Sequence, residues 1–329
     1  MKQFVLRSYG SADRLELAET DPPAPAPGEV LVRVRATSVN PYDWHGMRGE
    51  PYVARLMTGM MGLRRPRVGV LGCDLAGRVE AVGADVTRFR PGDDVYALVE
   101  RGGGFAESAV VAESLLAPMP QRLSYEQAAA VPMAGVTALL ALRELGRLQS
   151  GQTVLVNGAS GGVGTFAVQI ARALGAKVTG VCGPRNVELV ASLGAEQVID
   201  YSTQDFTRLG RDFDLMLDIA GRNRARSCLR ILRREGTLVV VGGPGGRWIK
   251  PVGHVVSMLA TGAVVPQRIV LAQVPGHARI REMLTELTEL IENHGVTPAI
   301  DRAYPFAQIP DAVRYQEQGH AQGKVVVTV

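Results

Sequence analysis

Cysteine is scarce and scattered: Cys73, Cys182 and Cys228 are the only three in 329 residues, and no two form a CxxC pair. An odd, widely spaced set excludes a disulfide-framed secreted domain and points to a reducing, cytoplasmic compartment. Long apolar runs are missing too. The longest nearly apolar stretch, Val255 to Val265, is far short of the roughly 20 residues that cross a bilayer, so no membrane span is expected. Met1 to Gly10 has no apolar core of signal-peptide length, which argues against a secretion signal. Nor is there a large charge excess: a net +4 suits an anionic ligand without calling for a nucleic acid.

What is present is a globular composition, 46% apolar and 21% charged, in a chain long enough for two domains. The middle of the chain has the clearest periodicity. Thr153 to Asn157 (TVLVN) is a β-rich run that stops at a glycine cluster. Val163, Phe166, Ala167, Ile170, Ala171 and Leu174 then recur at three- and four-residue steps. That spacing gives one apolar helix face, and Gly175 is placed to end it as a left-handed cap. Lys177 to Cys182 reads as a second strand, so the segment is a βαβ unit with a right-handed crossover. Val187, Val190 and Leu193 mark another helix, and Gln197 to Asp200, Asp214 to Asp218 and Thr237 to Val241 are further strands. The alternation predicts an α/β fold built on a Rossmann-type, doubly wound parallel sheet.

The flanks read differently. Glu29 to Thr37 alternates as a half-exposed strand does, and Ala76 to Val86 and Asp93 to Val99 are similar, punctuated by Gly83 and the Pro91-Gly92 turn. These predict an antiparallel β domain. Ile280 to Asn293 is an amphipathic helix with Ile280, Met283, Leu284, Leu287, Leu290 and Ile291 on one face. The last strand, Lys324 to Val329, needs a sheet to join and is placed back on the N-terminal domain, making that domain discontinuous.

The glycine turn carries the first chemistry. Gly158 to Gly164 (GASGGVG) contains AxGxxG, with Ala159 where the common fingerprint has its first glycine, Gly161 and Gly164 as the other two, and Gly162 between them. A strand before and a helix after are the context of a dinucleotide site: small residues let the backbone approach a pyrophosphate, whose charge is met by helix N-terminal amides. NAD sites usually place an acid about 20 residues beyond the fingerprint for the ribose hydroxyls. Here Cys182 is followed by Gly183, Pro184, Arg185 and Asn186. A missing carboxylate and an arginine able to bond a 2′-phosphate favour NADPH; a solvated helix-start residue is the alternative for Arg185.

The run NGASGGVGTFAVQIARALGAKVTGVC, followed by GAEQVIDY, resembles the medium-chain dehydrogenase/reductase superfamily, most closely its zinc-free quinone oxidoreductase branch. SVNPYDW at Ser38 to Trp44, LGCDLAGRVEAVG at Leu71 to Gly83, FRPGDDV at Phe89 to Val95, AGVTAL at Ala134 to Leu139 and GHAQGKVVV at Gly319 to Val327 fit in order. The resemblance implies a GroES-like β-barrel catalytic domain over 1–124, a Rossmann NADP-binding domain over 125–276 and a return to the catalytic domain over 277–329.

It also implies roles. Ser160, Gly162 and Val163 match pyrophosphate-loop positions, and Tyr201 matches a tyrosine beside the adenosine 2′-phosphate. Thr137 and Gly242 match positions near the nicotinamide, Asn40 an active-site amide, and Lys324 a C-terminal segment that reaches the cofactor. Gly183 departs from a common serine. Gly319-His320 departs from an arginine, leaving His320 or Lys324 as substitutes.

Zinc-dependent relatives supply a cysteine near Asn40, a His-Glu pair near Cys73-Asp74 and a four-cysteine lobe around residues 95 to 110. This chain has none of these, so no metal is expected and Cys73 reads as a small buried residue. Without a Lewis acid, a plain ketone is a poor hydride acceptor. Quinones and α,β-unsaturated carbonyls delocalise the incoming charge and need positioning and a proton source. The expected substrate is therefore a small quinone or enone, with Asn40 holding its carbonyl oxygen. Tyr52 lies where relatives often place an active-site tyrosine and is a candidate proton donor; a surface aromatic without a chemical role is the alternative. The Met- and Gly-rich insertion Leu56 to Leu63 is expected to overhang the pocket or lie on the surface.

Two other readings stay open. One is an alcohol dehydrogenase of the same superfamily. The other is an RNA-binding or structural role, supported by Arg226, Arg230, Arg233 and Arg234 on one face of a predicted helix, though a solvated face explains these equally. With no interleaved stacking aromatics, no nucleic acid partner is expected. Val264 to Val274 is apolar and β-prone, and an edge strand of that kind needs pairing; a homodimer is expected.

Overall fold

The structure is a computed structural model that describes residues 1–57, 61–242 and 252–329. The chain divides into two units, residues 1–133, 275–293 and 298–329 in the first and 134–274 and 294–297 in the second. Strands are numbered along the chain.

The first unit begins with a hairpin of β1 (Lys2–Leu6) and β2 (Leu15–Glu19). β3 (Glu29–Val39) is its long central strand. Val30, Val32 and Val34 are all buried in one apolar cluster, while Arg33 and Arg35 are exposed, the two-residue period of a strand with one wet face. β3 pairs antiparallel with β4 (Asp74–Val82), which pairs with β5 (Asp94–Leu98). β6 (Ser108–Ala112) joins the other edge of β3, and β7 (Leu116–Pro118) closes on β5.

The second unit holds one parallel sheet. β8 (Thr153–Asn157), β9 (Lys177–Cys182), β10 (Gln197–Asp200), β11 (Phe213–Asp218), β12 (Leu232–Val240) and β13 (Arg268–Leu271) lie in the order β10-β9-β8-β11-β12-β13. Every pairing is parallel. This is the doubly wound sheet that the alternating pattern predicts, and the strand order reverses between β8 and β11. Leu155, Met216 and Leu238, on three adjacent strands, are fully buried in its core. The helix Gly162–Ala173 presents Phe166, Ala167 and Ile170 as buried residues.

The chain then returns to the first unit. The helix Ile280–His294 buries Ile280, Met283, Leu284, Leu287, Leu290 and Ile291, the face read from the sequence. Each such side chain contributes about 1.5–3 kcal/mol when fully buried. Tyr96, buried on β5, donates its hydroxyl to Leu284 O at 2.5 Å. β14 (Ile300–Pro305) and β15 (Lys324–Thr328) pair parallel, and β15 completes the sheet by pairing antiparallel with β3.

The arginine-rich stretch before Thr237 corrects an expectation. Its helix spans only Ala225–Leu229, and Arg233 and Arg234 already lie on β12. There the register jumps from Phe213↔Leu232 to Leu215↔Thr237. The four arginines therefore share no helix face, because the chain is already extended on β12, where Arg233 and Arg234 fall in the register jump without partners on β11. Of the Leu56 to Leu63 insertion, residues 58–60 lie outside the described residues. Among the described residues, no helix is long and apolar enough to cross a membrane.

Candidate active site

In the second unit the glycine turn sits at the carboxyl end of β8. Gly158 takes φ +92°, a left-handed backbone that suits glycine, and its amide donates to Val181 O at 3.1 Å. Gly161 precedes the helix, which starts at Gly162 with Val163 and Gly164 in its first turn. A Cβ on Gly164 would stand 2.1 Å from Gly158 O, so only glycine lets the helix approach the strand this closely. The first helical amides have no acceptor within the helix. Beside the turn, Asn157 on β8 donates to Asp218 Oδ1 on β11 at 2.7 Å, across the point where the strand order reverses. Gly242 donates its amide to Asp218 O at 3.3 Å, and a Cβ there would lie 2.1 Å from Ile219 O. Thr137 is buried in the helix Pro132–Leu139.

The end of β9 has no acid. Gly183 is buried, and a Cβ on it would meet the Tyr201 hydroxyl at 3.0 Å. Tyr201 is anchored by its amide to Cys182 O at 3.1 Å while its ring stays 62% exposed, open to a ligand. Arg185 is exposed in the short turn Pro184–Asn186. Sequence reasoning passed over Asn186. Its Nδ2 donates to Ser160 Oγ at 2.9 Å, and its Oδ1 is buried with no hydrogen-bond partner among the described residues. An unfilled acceptor next to a phosphate-loop serine suits a ribose hydroxyl. The glycine turn and this acceptor fit a dinucleotide, and the acid-free end of β9 leaves a place for a 2′-phosphate.

The first unit holds a buried polar cluster where β3, β4 and β15 meet. Asn40, Asp43, Cys73, Asp74 and Lys324 are each at most 3% exposed, so every charge must be answered from within. Asp74 Oδ2 accepts from Ser38 Oγ at 2.6 Å, Asn40 Nδ2 at 2.9 Å and Lys324 Nζ at 3.1 Å, and Oδ1 accepts from Met133 N at 2.8 Å. Lys324 Nζ also donates to Asn40 Oδ1 at 2.5 Å, and Asn40 Nδ2 reaches Cys73 Sγ at 3.3 Å. A donor-only ammonium facing Oδ1 and a carboxylate facing Nδ2 fix the orientation of the amide.

Asp43 caps the helix Pro41–Arg48, accepting from Asn40 N at 2.8 Å and Gly72 N at 3.0 Å. The spacing of Asn40 and Asp43 around a first-turn proline is a cap signature legible in the sequence. Burial pushes the Asp43 carboxyl up to about 7, with the Asp74 charge adding and the backbone donors and Lys324 opposing. Burial, with Asp43 and Asp74 beside it, also raises the Cys73 thiol well above its usual range.

This geometry revises two expected roles. Both amide hydrogens of Asn40 are engaged by Asp74 and Cys73, so Asn40 frames the cluster and has no free donor for a substrate carbonyl. Lys324 is sealed against Asn40 and Asp74, so its ammonium is engaged within the cluster and does not stand free as a substitute for the arginine. Tyr52 is half-buried, with the Arg55 guanidinium 4.6 Å from its ring centroid and 4.2 Å from that of Tyr9. His320 is exposed after the helix Ile309–Glu317. The donor set does not fit a catalytic zinc, which needs three ligands with any cysteine deprotonated. Asp74 is committed to an ammonium, and Asn40 beside it offers only an amide, a poor zinc ligand. Among the described residues, no three His, Cys, Asp or Glu side chains are placed to share a metal ion.

Comparison with known proteins gives consistent matches. Residues 26–121 match the alcohol dehydrogenase GroES-like domain, and residues 193–327 match a family described as zinc-binding dehydrogenase, a metal these donors do not suit. The chloroplast envelope quinone oxidoreductase homolog of Arabidopsis thaliana is 34% identical over 99% of this chain and 98% of its own. The 2-methylene-furan-3-one reductase of Solanum lycopersicum is 31% identical over 99% of this chain and 79% of its own. Among solved structures, the Escherichia coli quinone oxidoreductase complexed with NADPH superposes with a TM-score of 0.83 and 26% identity, covering 100% of both chains. The chain belongs to the medium-chain dehydrogenase/reductase superfamily, in its quinone oxidoreductase branch.

Proposed function

We propose that this chain transfers hydride from NADPH to a quinone or an α,β-unsaturated carbonyl without a metal. The observation that carries the reading is the Lys324 ammonium bound to Asn40 and Asp74. It fills with a fixed protein cation the pocket of donors in which a Lewis acid would be sought. The acceptor must then disperse charge itself, as quinones and enones do. The names of the Arabidopsis and tomato relatives, a quinone oxidoreductase homolog and an enone reductase, support the same class.

The cofactor, when bound, supplies the hydride from its nicotinamide ring. Gly161, Gly162, Val163 and Gly164 offer a close-approach backbone for the pyrophosphate, with Ser160 and Asn186 at its edge. Arg185 and Tyr201 bind the 2′-phosphate, and Thr137 and Gly242 border the nicotinamide. The NADPH complex of the E. coli structure supports this choice of cofactor. Tyr52 supplies a phenolic hydroxyl as proton source, and Asn40 orients the polar cluster.

The working form we propose is a homodimer. β13 pairs only with β12 among the described residues, leaving one strand edge for a two-fold partner. The three free, buried cysteines support a reducing compartment, the cytoplasm. The test is NADPH oxidation against a panel of quinones and enones, with and without a chelator. No turnover of any member, or turnover of simple ketones alone, removes the reading.

A further inference from the structure

The amino-terminal rim of the parallel sheet carries a cavity of about 600 Å³ on the side opposite the glycine turn. Gln152, just before β8, Asp214 on β11, Thr237 on β12 and Arg268 at the start of β13 line it. The glycine turn stands at the carboxyl end of β8. At about 3.3 Å per residue, a five-residue strand separates the two rims by on the order of 15 Å. The cavity is therefore no part of the dinucleotide site.

Four arginines face this space: Arg147, Arg233, Arg234 and Arg268. Arg233 is neutralised, donating to Asp214 Oδ1 at 2.6 Å, and Asp214 is further held by Thr153 N at 2.9 Å. The other three guanidinium groups have no ion pair or hydrogen bond among the described residues, and Glu235 is the one further acid in the lining. Two backbone departures bring them there. The register jump between Phe213↔Leu232 and Leu215↔Thr237 takes Arg234 out of the ladder, as bulges do where a side chain is re-aimed. Arg147 follows a π-helical turn, Leu140–Leu145, and adopts φ +52°, the one non-glycine residue with positive φ among those described.

Three unpaired guanidinium groups against one acid leave the cavity net positive, a repulsion that an entering anion relieves. Planar guanidinium forks suit oxyanions that accept two hydrogen bonds at once. The volume is that of a small-molecule pocket rather than of a single ion. We propose that this cavity is a second binding site, for a small molecule carrying two or more phosphate or carboxylate groups. Because Thr237 and Arg268 are register partners on β12 and β13, the occupant bridges the last two strands of the sheet.

The test is calorimetric titration of the full chain with inorganic pyrophosphate, and separately with citrate, at a fixed salt of about 0.1 M. One saturable site is expected. Preference between the two probes distinguishes phosphate from carboxylate as the natural group. The variant Arg147→Asn/Arg234→Ala, in which asparagine tolerates the left-handed backbone, should weaken binding at least about tenfold. Its melting temperature without anion should not fall, since the substitution removes like-charge repulsion, and Arg268→Gln provides an independent second reduction. Absence of saturable binding overturns the proposal. So does equal pyrophosphate affinity in the variants, which would place the ion on the glycine turn. Binding of single-stranded RNA with none of either probe would also overturn it, marking a nucleic-acid surface.

Discussion

The Lys324 ammonium and the Asp74 carboxylate form an ion pair at 3.1 Å in which neither side chain reaches solvent beyond 3%. Taking both charges out of water is costly, so the pair tells little about net stability while intact. Removing one partner is another matter. Lys324→Met leaves Asp74 buried with only neutral donors, and a loss of about 3–5 kcal/mol is expected in urea unfolding. Lys324→Met/Asp74→Asn should recover most of that loss. A loss under about 1 kcal/mol in the single variant, or no recovery in the double, would show that the pair does not organise this cluster.

Asp43 gives the cluster a pH dependence. Its carboxyl is pushed up to about 7 in the folded chain, from an ordinary aspartate value of 3.8. Between these values the unfolded chain releases the proton and the folded chain keeps it, so unfolding is increasingly favoured as pH rises. The stabilising contribution is full below about pH 4, declines up to about pH 7 and is flat above. Asp43→Asn should flatten the decline, read as the difference in urea midpoint between the two proteins across that window. Parallel pH profiles would show that Asp43 ionises normally.

Segments whose periodicity is local could be read directly. The helix Ile280–His294 buries the residues its spacing selects, and β8, β9 and β10 have the predicted bounds. What escaped depends on distant partners. The contact of Asp43 with Gly72 and the parallel pairing of β14 with β15 join residues that no local pattern connects. Arg233 and Arg234 fit a helical spacing equally well, and the pull of β12 decides between the two. In the site, the glycine turn was legible because its chemistry is contiguous. The destination of Lys324 was not, since it joins Asn40 from 284 residues away. The phosphate-loop neighbour Asn186 carries no such signal: an amide at a helix start is common, and its contact with Ser160 spans 26 residues.

Metal independence follows from the same cluster. With Asp74 bound to Lys324 and an amide at Asn40 in place of a ligand, purified protein should carry no stoichiometric zinc. Reductase activity on a quinone or enone should persist in chelator. Cys73→Ala should retain most activity at a stability loss of about 1 kcal/mol. One tightly held zinc per chain, with activity lost on its removal, would replace the quinone reading with an alcohol dehydrogenase.

Cofactor choice rests on what stands at the end of β9. There is no carboxylate to accept from both ribose hydroxyls, and Gly183 leaves room for the Tyr201 hydroxyl, 3.0 Å from where a Cβ would lie. Arg185 is exposed beside them. NADPH should therefore bind more tightly than NADH by about 1.5–3 kcal/mol, roughly ten- to hundredfold. Arg185→Ala should remove most of that preference by weakening NADPH and leaving NADH nearly unchanged. Gly183→Ser tests the tyrosine separately: its Cβ presses on the hydroxyl, so Tyr201 must shift while Arg185 stays. If Tyr201 shares the 2′-phosphate, Gly183→Ser changes NADPH affinity with little effect on NADH. Dissociation constants for both cofactors with all three proteins, measured by nicotinamide fluorescence, decide the matter. Equal affinities for NADPH and NADH in the unmodified chain would remove the 2′-phosphate site altogether.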